Sequence, residues 1–295
     1  MTVGKVVLFY TVADYLVFFT VFCTWAEKMG IQVLALCPMP DHIHHACIAP
    51  NEMVLTEFER SYTQLFSRLW NKQRKRKGPL FYHSYKRACK QGNKSIRTTL
   101  AYNYNNPVER HLTEKAEDYR WNFLAYATNA WPFSEPVDPA SASTAMRRGM
   151  SEVRHCHEQG KHLSYAQIHR IMDKLNRKER QQLIDYIIGL WNIIDYSKAI
   201  SYYGNIDAMI RAFHDNTGSE YEIREDRDPY SDTVYSDCTR ILLKERLIDS
   251  VYDIHSLPMA AKSQLYALLR TRTAAKPKQL RKYLHIPGNE VVDFS

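Results

Sequence analysis

The stretch 37-CPMPDHIHHACIAP-50 sets three histidines in four residues inside an apolar, β-favouring run bounded by prolines. In a β-strand, residues two apart share a face. His42 and His44 therefore point together, Ile43 packs behind them, and His45 faces the other way. Two neutral imidazoles converging on one point make a bidentate clamp for a metal ion. An isolated His-x-His is more often a surface or hydrogen-bonded pair, so the rest of the chain has to decide.

Working outward, the run VVLFYTVADYLVFFTVFCTW from Val6 to Trp25 carries one charge, Asp14, and is long enough to suggest a membrane span. An aspartate in mid-bilayer is costly, and a strand over Lys5–Val12 followed by a helix over Asp14–Met29, ended by Gly30, accounts for the pattern without a membrane. Asp14 then sits near a helix N-terminus, where a carboxylate is favourable. IQVLALCP and HIHHACIAP read as two strands paired across a Met-Pro-Asp turn. The spacing of Phe58, Tyr62, Leu65, Phe66 and Leu69 predicts a helix over 52–77 that stops at Gly78-Pro79. PLFYHSYKRAC alternates like a strand, and 94–105 reads as a helix ending near Pro107. The order β-α-β-β-α-β-α predicts an α+β fold, an antiparallel sheet with helices on one face. This unit spans 1–130. A proline-rich linker follows over 131–150, then a mostly helical C-terminal domain over 151–295.

The chain has 295 residues and room for two domains. Its net charge of +8 and pI near 9.0 point to a polyanionic partner. The six cysteines are scattered with no Cys-x-x-Cys pair, as in a reduced, cytoplasmic protein. Between Arg68 and Arg97 lie eleven basic residues and no acid: Arg68, Lys72, Arg74, Lys75, Arg76, Lys77, Lys86, Arg87, Lys90, Lys94 and Arg97. Trp70, Phe81, Tyr82 and Tyr85 are interleaved with them. Cations that track a phosphate backbone, with rings on which bases stack, suit single-stranded nucleic acid better than a merely solvated face.

In 100-LAYNYNNPVERHL-112, Tyr102 and Asn106 share a helix face. A tyrosine hydroxyl is a nucleophile if a positive centre stabilises its phenolate, and an amide oxygen can join two histidines on a hard divalent ion. Singly, each residue is better read as core or cap.

Together, MPDHIHH resembles the His-hydrophobic-His (HUH) motif of single-tyrosine transposases. YNYNNPVERHL followed by EDYRWNFLAYA resembles the Tyr-x-x-x-Asn-Pro-Val … Asp-Tyr-Arg-Trp signature of the REP-associated tyrosine transposases. The resemblance covers about residues 1–130. It implies a ferredoxin-like HUH endonuclease domain in which His42, His44 and Asn106 hold Mg or Mn. Tyr102 would attack a DNA phosphodiester to give a 5′-phosphotyrosine and a free 3′-OH, on single-stranded, hairpin or palindromic DNA. Asp41 before the first histidine fits the family. Tyr104 stands where the family often has His, and His45 is given no metal role. The same residues would also serve a catalytically silent DNA-binding relative, or a metal-dependent hydrolase with Asp41 as its nearby acid. Relatives include monomers and homodimers.

Outside the resemblance, 257–290 has the cadence of a basic helix-turn-helix. Helices are expected at 259–270 and 277–285 and a third from Asn289. DNA recognition there and simple packing against the rest of the chain are equally consistent with the pattern.

Overall fold

The computed structural model describes residues 6–81, 88–215 and 231–286. Its first helix, α1 (Val12–Lys28), opens on a capping box in which Thr11 and Asp14 each accept from the other's backbone N–H. Nearly every side of α1 is buried, so the apolar run belongs to a core helix. No described helix is long and apolar enough to cross a membrane. The strand expected ahead of it is absent among the described residues. Leu8 N–H and Phe9 N–H both donate to Pro40 O (2.7 and 3.1 Å), and Val7 N–H to Lys282 O (3.4 Å). These partners form no ladder; burial, not strand pairing, explains the apolar residues at 6–9.

Strands β1 (Gln32–Met39) and β2 (His42–Ile48) form an antiparallel pair with Cys37 opposite His44, Met39 opposite His42 and Leu36 opposite His45. Beyond Gln32 every β1 residue is buried, so both faces of the sheet need cover. Helix α3 (Asn93–Glu109) covers the His42/His44 face, and Tyr104 Oη donates to Leu34 O at 3.2 Å. Helices α1 and α2 (Glu52–Gln73) cover the other, where His45 Nε2 meets Glu59 at 2.8 Å. The α+β class holds, with helices on both faces of the sheet instead of the single face the pattern suggested. Of the strand expected over 79–89, residues 82–87 lie outside the described residues.

Helix α2 ends earlier than the spacing predicts because Arg74 turns inward. Its Nη2 lies 2.7 Å from Asp14 Oδ1, with both side chains fully buried. The same carboxylate accepts from Tyr165 Oη at 2.7 Å and from the N–H groups of Tyr10 and Thr11 at 3.0 Å. Helix α3 runs past Pro107 to Glu109, so the ring removes one i→i−4 hydrogen bond near the helix end without stopping the helix.

The remainder is helical: α4 (Thr144–Glu158), α5 (Tyr165–Met172), α6 (Arg177–Trp191), α7 (Tyr196–Ser201), α8 (Ile206–Asp215), α9 (Val234–Lys244), α10 (Met259–Arg272) and α11 (Pro277–Leu284). Val153, Ile168, Ile184 and Ile188 share one apolar cluster with Phe18 and Phe22. The proline-rich stretch thus joins two parts of a single core. A second cluster, built on Cys238, Leu242, Leu269 and Tyr283, takes in Val7 from the other end of the chain. Helices α10 and α11 form the expected hairpin; the helix expected from Asn289 lies outside the described residues.

Two outcomes follow from the buried charges. Arg74→Met leaves Asp14 charged and without its cation in the core, and should cost about 3–5 kcal/mol in urea unfolding. His45→Ala strips a buried carboxylate of its partner and should cost roughly 3 kcal/mol in urea unfolding. A stability unchanged from wild type would show that the Glu59 contact does not hold His45 on that face.

Candidate functional site

The turn between β1 and β2 delivers Asp41, and the first residues of β2 deliver His42 and His44 to one face. Their rings lie 4.6 Å apart, centroid to centroid and nearly perpendicular. Across from them α3 presents Tyr102, whose ring is 5.2 Å from that of His44 and whose side chain is almost wholly buried. Asn106 lies one turn on. Its Nδ2 donates to Tyr102 O at 3.1 Å, which leaves Oδ1 as the atom able to bind a cation. Sequence spacing placed these four residues correctly on two elements, and packing of α3 against β1 and β2 brings the elements together.

Electrostatics suit the histidines to ligation. Burial, helped by His42 and His45, pushes His44 well below its ordinary value, so the ring stays neutral with a lone pair to offer. His42 Nε2 is buried and has no hydrogen-bond partner among the described residues. His42 Nδ1 lies 2.6 Å from Asp41 Oδ1, the carboxylate–histidine pairing that orients metal-binding imidazoles. Burial alone would raise the Asp41 carboxyl, but His42 and then Lys282 outweigh it and hold the group far below the usual carboxylate range. Among the described residues no three His, Cys, Asp or Glu side chains gather as a metal-binding group. A cation here would take its third protein ligand from a neutral atom such as the Asn106 amide oxygen. His45 takes no part: burial disfavours its charge, yet Glu59 prevails and holds it well above its ordinary value.

Two residues that sequence reasoning missed come from the far end of the chain. Lys282 of α11 sets its Nζ 2.5 Å from Asp41 Oδ2, across 241 residues of sequence. Asp232 is buried, and its N–H donates to Arg110 O at 3.3 Å. Burial and the charge of Asp41 push its carboxyl up to about 6, against the pull of Arg110, His42 and Lys282. The only signal for Lys282 was a basic helix, and a single lysine in such a helix looks like any other.

The Asp-Tyr-Arg-Trp motif serves as scaffold. Tyr119 Oη donates to Pro38 O at 3.0 Å, Trp121 stacks on Tyr15 at 4.3 Å, and Arg120 reaches Gln181 of α6 at 2.6 Å. Tyr104 is fully buried against Phe213, and burial holds its phenol well above its ordinary value, whereas the Tyr102 ring lies beside His44.

The basic stretch divides. Arg68, Lys72, Lys75, Lys77, Lys94 and Arg97 are exposed, and Lys90 is half-buried. Arg74 is no DNA contact, being sealed against Asp14. Arg76 is half-buried and spends its guanidinium on Asn71 Oδ1 and the carbonyls of Gly78 and Pro79. Trp70, expected among the stacking rings, is wholly buried with its indole N–H on Leu8 O at 2.8 Å. Lys86, Arg87, Tyr82 and Tyr85 lie outside the described residues.

No curated protein and no solved structure matches the chain. Residues 8–106 match the family described as transposase IS200 like. That stretch contains the two converging histidines, the tyrosine opposite them and the asparagine one turn on, so the similarity to the IS200-like transposases covers the residues of this site.

Proposed function

We propose that the protein is a single-stranded DNA nicking and strand-transfer enzyme that works through Tyr102. The observation that carries this reading is the placement of the Tyr102 ring 5.2 Å from His44, on the sheet face that also holds His42. His42 Nε2, His44 and Asn106 Oδ1 would hold a divalent cation, Mg or Mn, which when bound would polarise a phosphodiester and offset charge that develops there. Tyr102 Oη then forms a bond to phosphorus as the bond from phosphorus to the 3′ oxygen breaks. The phenol loses its proton and the departing 3′ oxygen gains one, leaving a 5′-phosphotyrosine and a 3′-OH. Attack by a 3′-OH reverses the step and releases Tyr102. The ester conserves the bond energy, so no nucleotide cofactor is needed. The exposed cations of α2 and the start of α3 would follow the DNA backbone, and hairpin or palindromic strands are the substrate class we infer.

The hydrolase alternative needs a free carboxylate as base. Asp41 is engaged on both oxygens by His42 and Lys282, which leaves Asp232 as the group such an enzyme would use. A covalent adduct separates the two readings, since attack by water leaves none.

Incubation with a single-stranded hairpin and Mn should give a protein–DNA adduct on a denaturing gel. Tyr102→Phe should abolish that adduct and leave DNA affinity within about twofold, whereas Tyr104→Phe should retain it. An adduct that survives Tyr102→Phe would remove the proposed nucleophile.

Binding should weaken with salt in proportion to the phosphates contacted, with a slope of about −0.7 per contact on single strands. Replacing Lys72, Lys75 and Lys77 together by Gln should flatten the dependence of log affinity on log salt by roughly two units. An unchanged slope would place the DNA path elsewhere.

A further inference from the structure

We propose that Lys282 is a positioning residue for the catalytic histidines: by gripping one oxygen of Asp41 it turns the other onto His42 Nδ1, fixing His42 as the tautomer whose Nε2 lone pair faces the site. This rests on the proposed role of His42 as a ligand, but what it asserts is a property of the metal-free protein.

The geometry is a three-member chain. Lys282 Nζ lies 2.5 Å from Asp41 Oδ2, and Asp41 Oδ1 lies 2.6 Å from His42 Nδ1. Each carboxylate oxygen thus has one partner, and the three side chains are 10–19% exposed, too little for water to replace any member freely. A ring nitrogen facing a carboxylate oxygen at this distance carries a proton, so in the neutral ring the other nitrogen is bare. His42 Nε2 is that nitrogen, buried and without a hydrogen-bond partner among the described residues. Without the lysine, Asp41 Oδ2 would lose its cation and the contact to His42 Nδ1 would be left to set the rotation of the carboxylate.

Lys282 is itself held from several sides. Its carbonyl accepts from Val7 N–H at 3.4 Å, and the next carbonyl, that of Tyr283, accepts from Tyr10 Oη at 2.7 Å. Gln279 Nε2 donates to Ser231 O at 2.8 Å, next to Asp232. The segment that holds α11 also holds the turn carrying Asp41, because Leu8 and Phe9 donate to Pro40 O. One short extended segment therefore locates both ends of the Lys282–Asp41 pair. Lys282 lies far outside the matched residues 8–106, so the C-terminal hairpin supplies a part that the matched stretch does not contain.

The test uses the full chain with 15N-labelled histidine, metal-free, as wild type, Lys282→Met, Lys282→Arg and Asp41→Asn. Long-range 1H–15N correlation reads the His42 tautomer, and titration with Mn alone reads affinity. Wild type should show a single Nδ1–H form. Lys282→Met should show a mixture and bind Mn about 10–100-fold more weakly, and Lys282→Arg should restore most of both. If Lys282→Met does not fold, Asp41→Asn reads the same link from its middle and should likewise mix the tautomers. A folded Lys282→Met with one Nδ1–H form and Mn affinity within twofold of wild type overturns the proposal, as does an unmixed His42 in Asp41→Asn. If the tautomer shifts as expected but wild type never forms a DNA adduct, the proposed function fails and the positioning role stands. If wild type forms the adduct and His42 ignores Lys282, the reverse holds.

Discussion

A carboxylate at the start of the first helix and a guanidinium at the end of the second meet in full burial, and the rest of the molecule is arranged around that pair. Asp14 and Arg74 are each 0% exposed at the side chain, so either charge left without the other would carry a heavy desolvation cost. Arg74 also lies over the Trp70 and Tyr252 rings at 4.0 and 4.7 Å, and Tyr165 from α5 completes the carboxylate's donors. Four distant parts of the chain are thus tied to one point. Such a tie gives specificity more than stability, because apolar groups of the same shape could fill the space at less desolvation cost. Its geometric effect is to seat α2 on α1 and to pin the extended segment at 6–10, which in turn grips Pro40 and the histidine turn.

From that seat the histidine strand inherits its two faces. His42 and His44 look toward α3 and a tyrosine; His45 looks toward α2 and a glutamate. The same residue type is neutral on one face and pushed toward its charged form on the other, and nothing in the side chains distinguishes them beyond pleat parity and neighbour. The site therefore depends on register. A slip of one residue would hand Glu59 a ligand histidine and offer Tyr102 the wrong ring.

Much of this was legible. Alternation separated His42 and His44 from His45, and a four-residue step put Tyr102 and Asn106 on one helix face, because those relations are local and periodic. What escaped the sequence was non-local. Arg74 looks like its neighbours Lys75 and Arg76 in a basic run; only the distant Asp14 makes it a core residue. Val6–Phe9 has the composition of a strand but finds two separate carbonyls, Pro40 O and Lys282 O, instead of a ladder. Lys282 was one of several lysines in a basic hairpin, and nothing in the sequence sets Asp232 apart from Asp226, Asp228 and Asp237 around it. Composition reports that charges are present. Which of them meet is decided by tertiary contacts hundreds of residues apart.

The contact between Asp41 and Lys282 also orders events in time. A chain made at roughly 5–20 residues per second exposes the histidine strand on the order of 10–50 s before residue 282, which lies 241 positions later, has been added. Through that interval Asp41 lacks its cation and the segment at 6–10 lacks the helix that braces it, and of the buried residues in the second apolar cluster only Val7 exists until residue 234 is added. A growing chain therefore carries its histidines and tyrosine early but gains the Lys282–Asp41 contact only once synthesis has passed the C-terminal hairpin. Premature termination anywhere before that hairpin leaves Asp41 without its lysine.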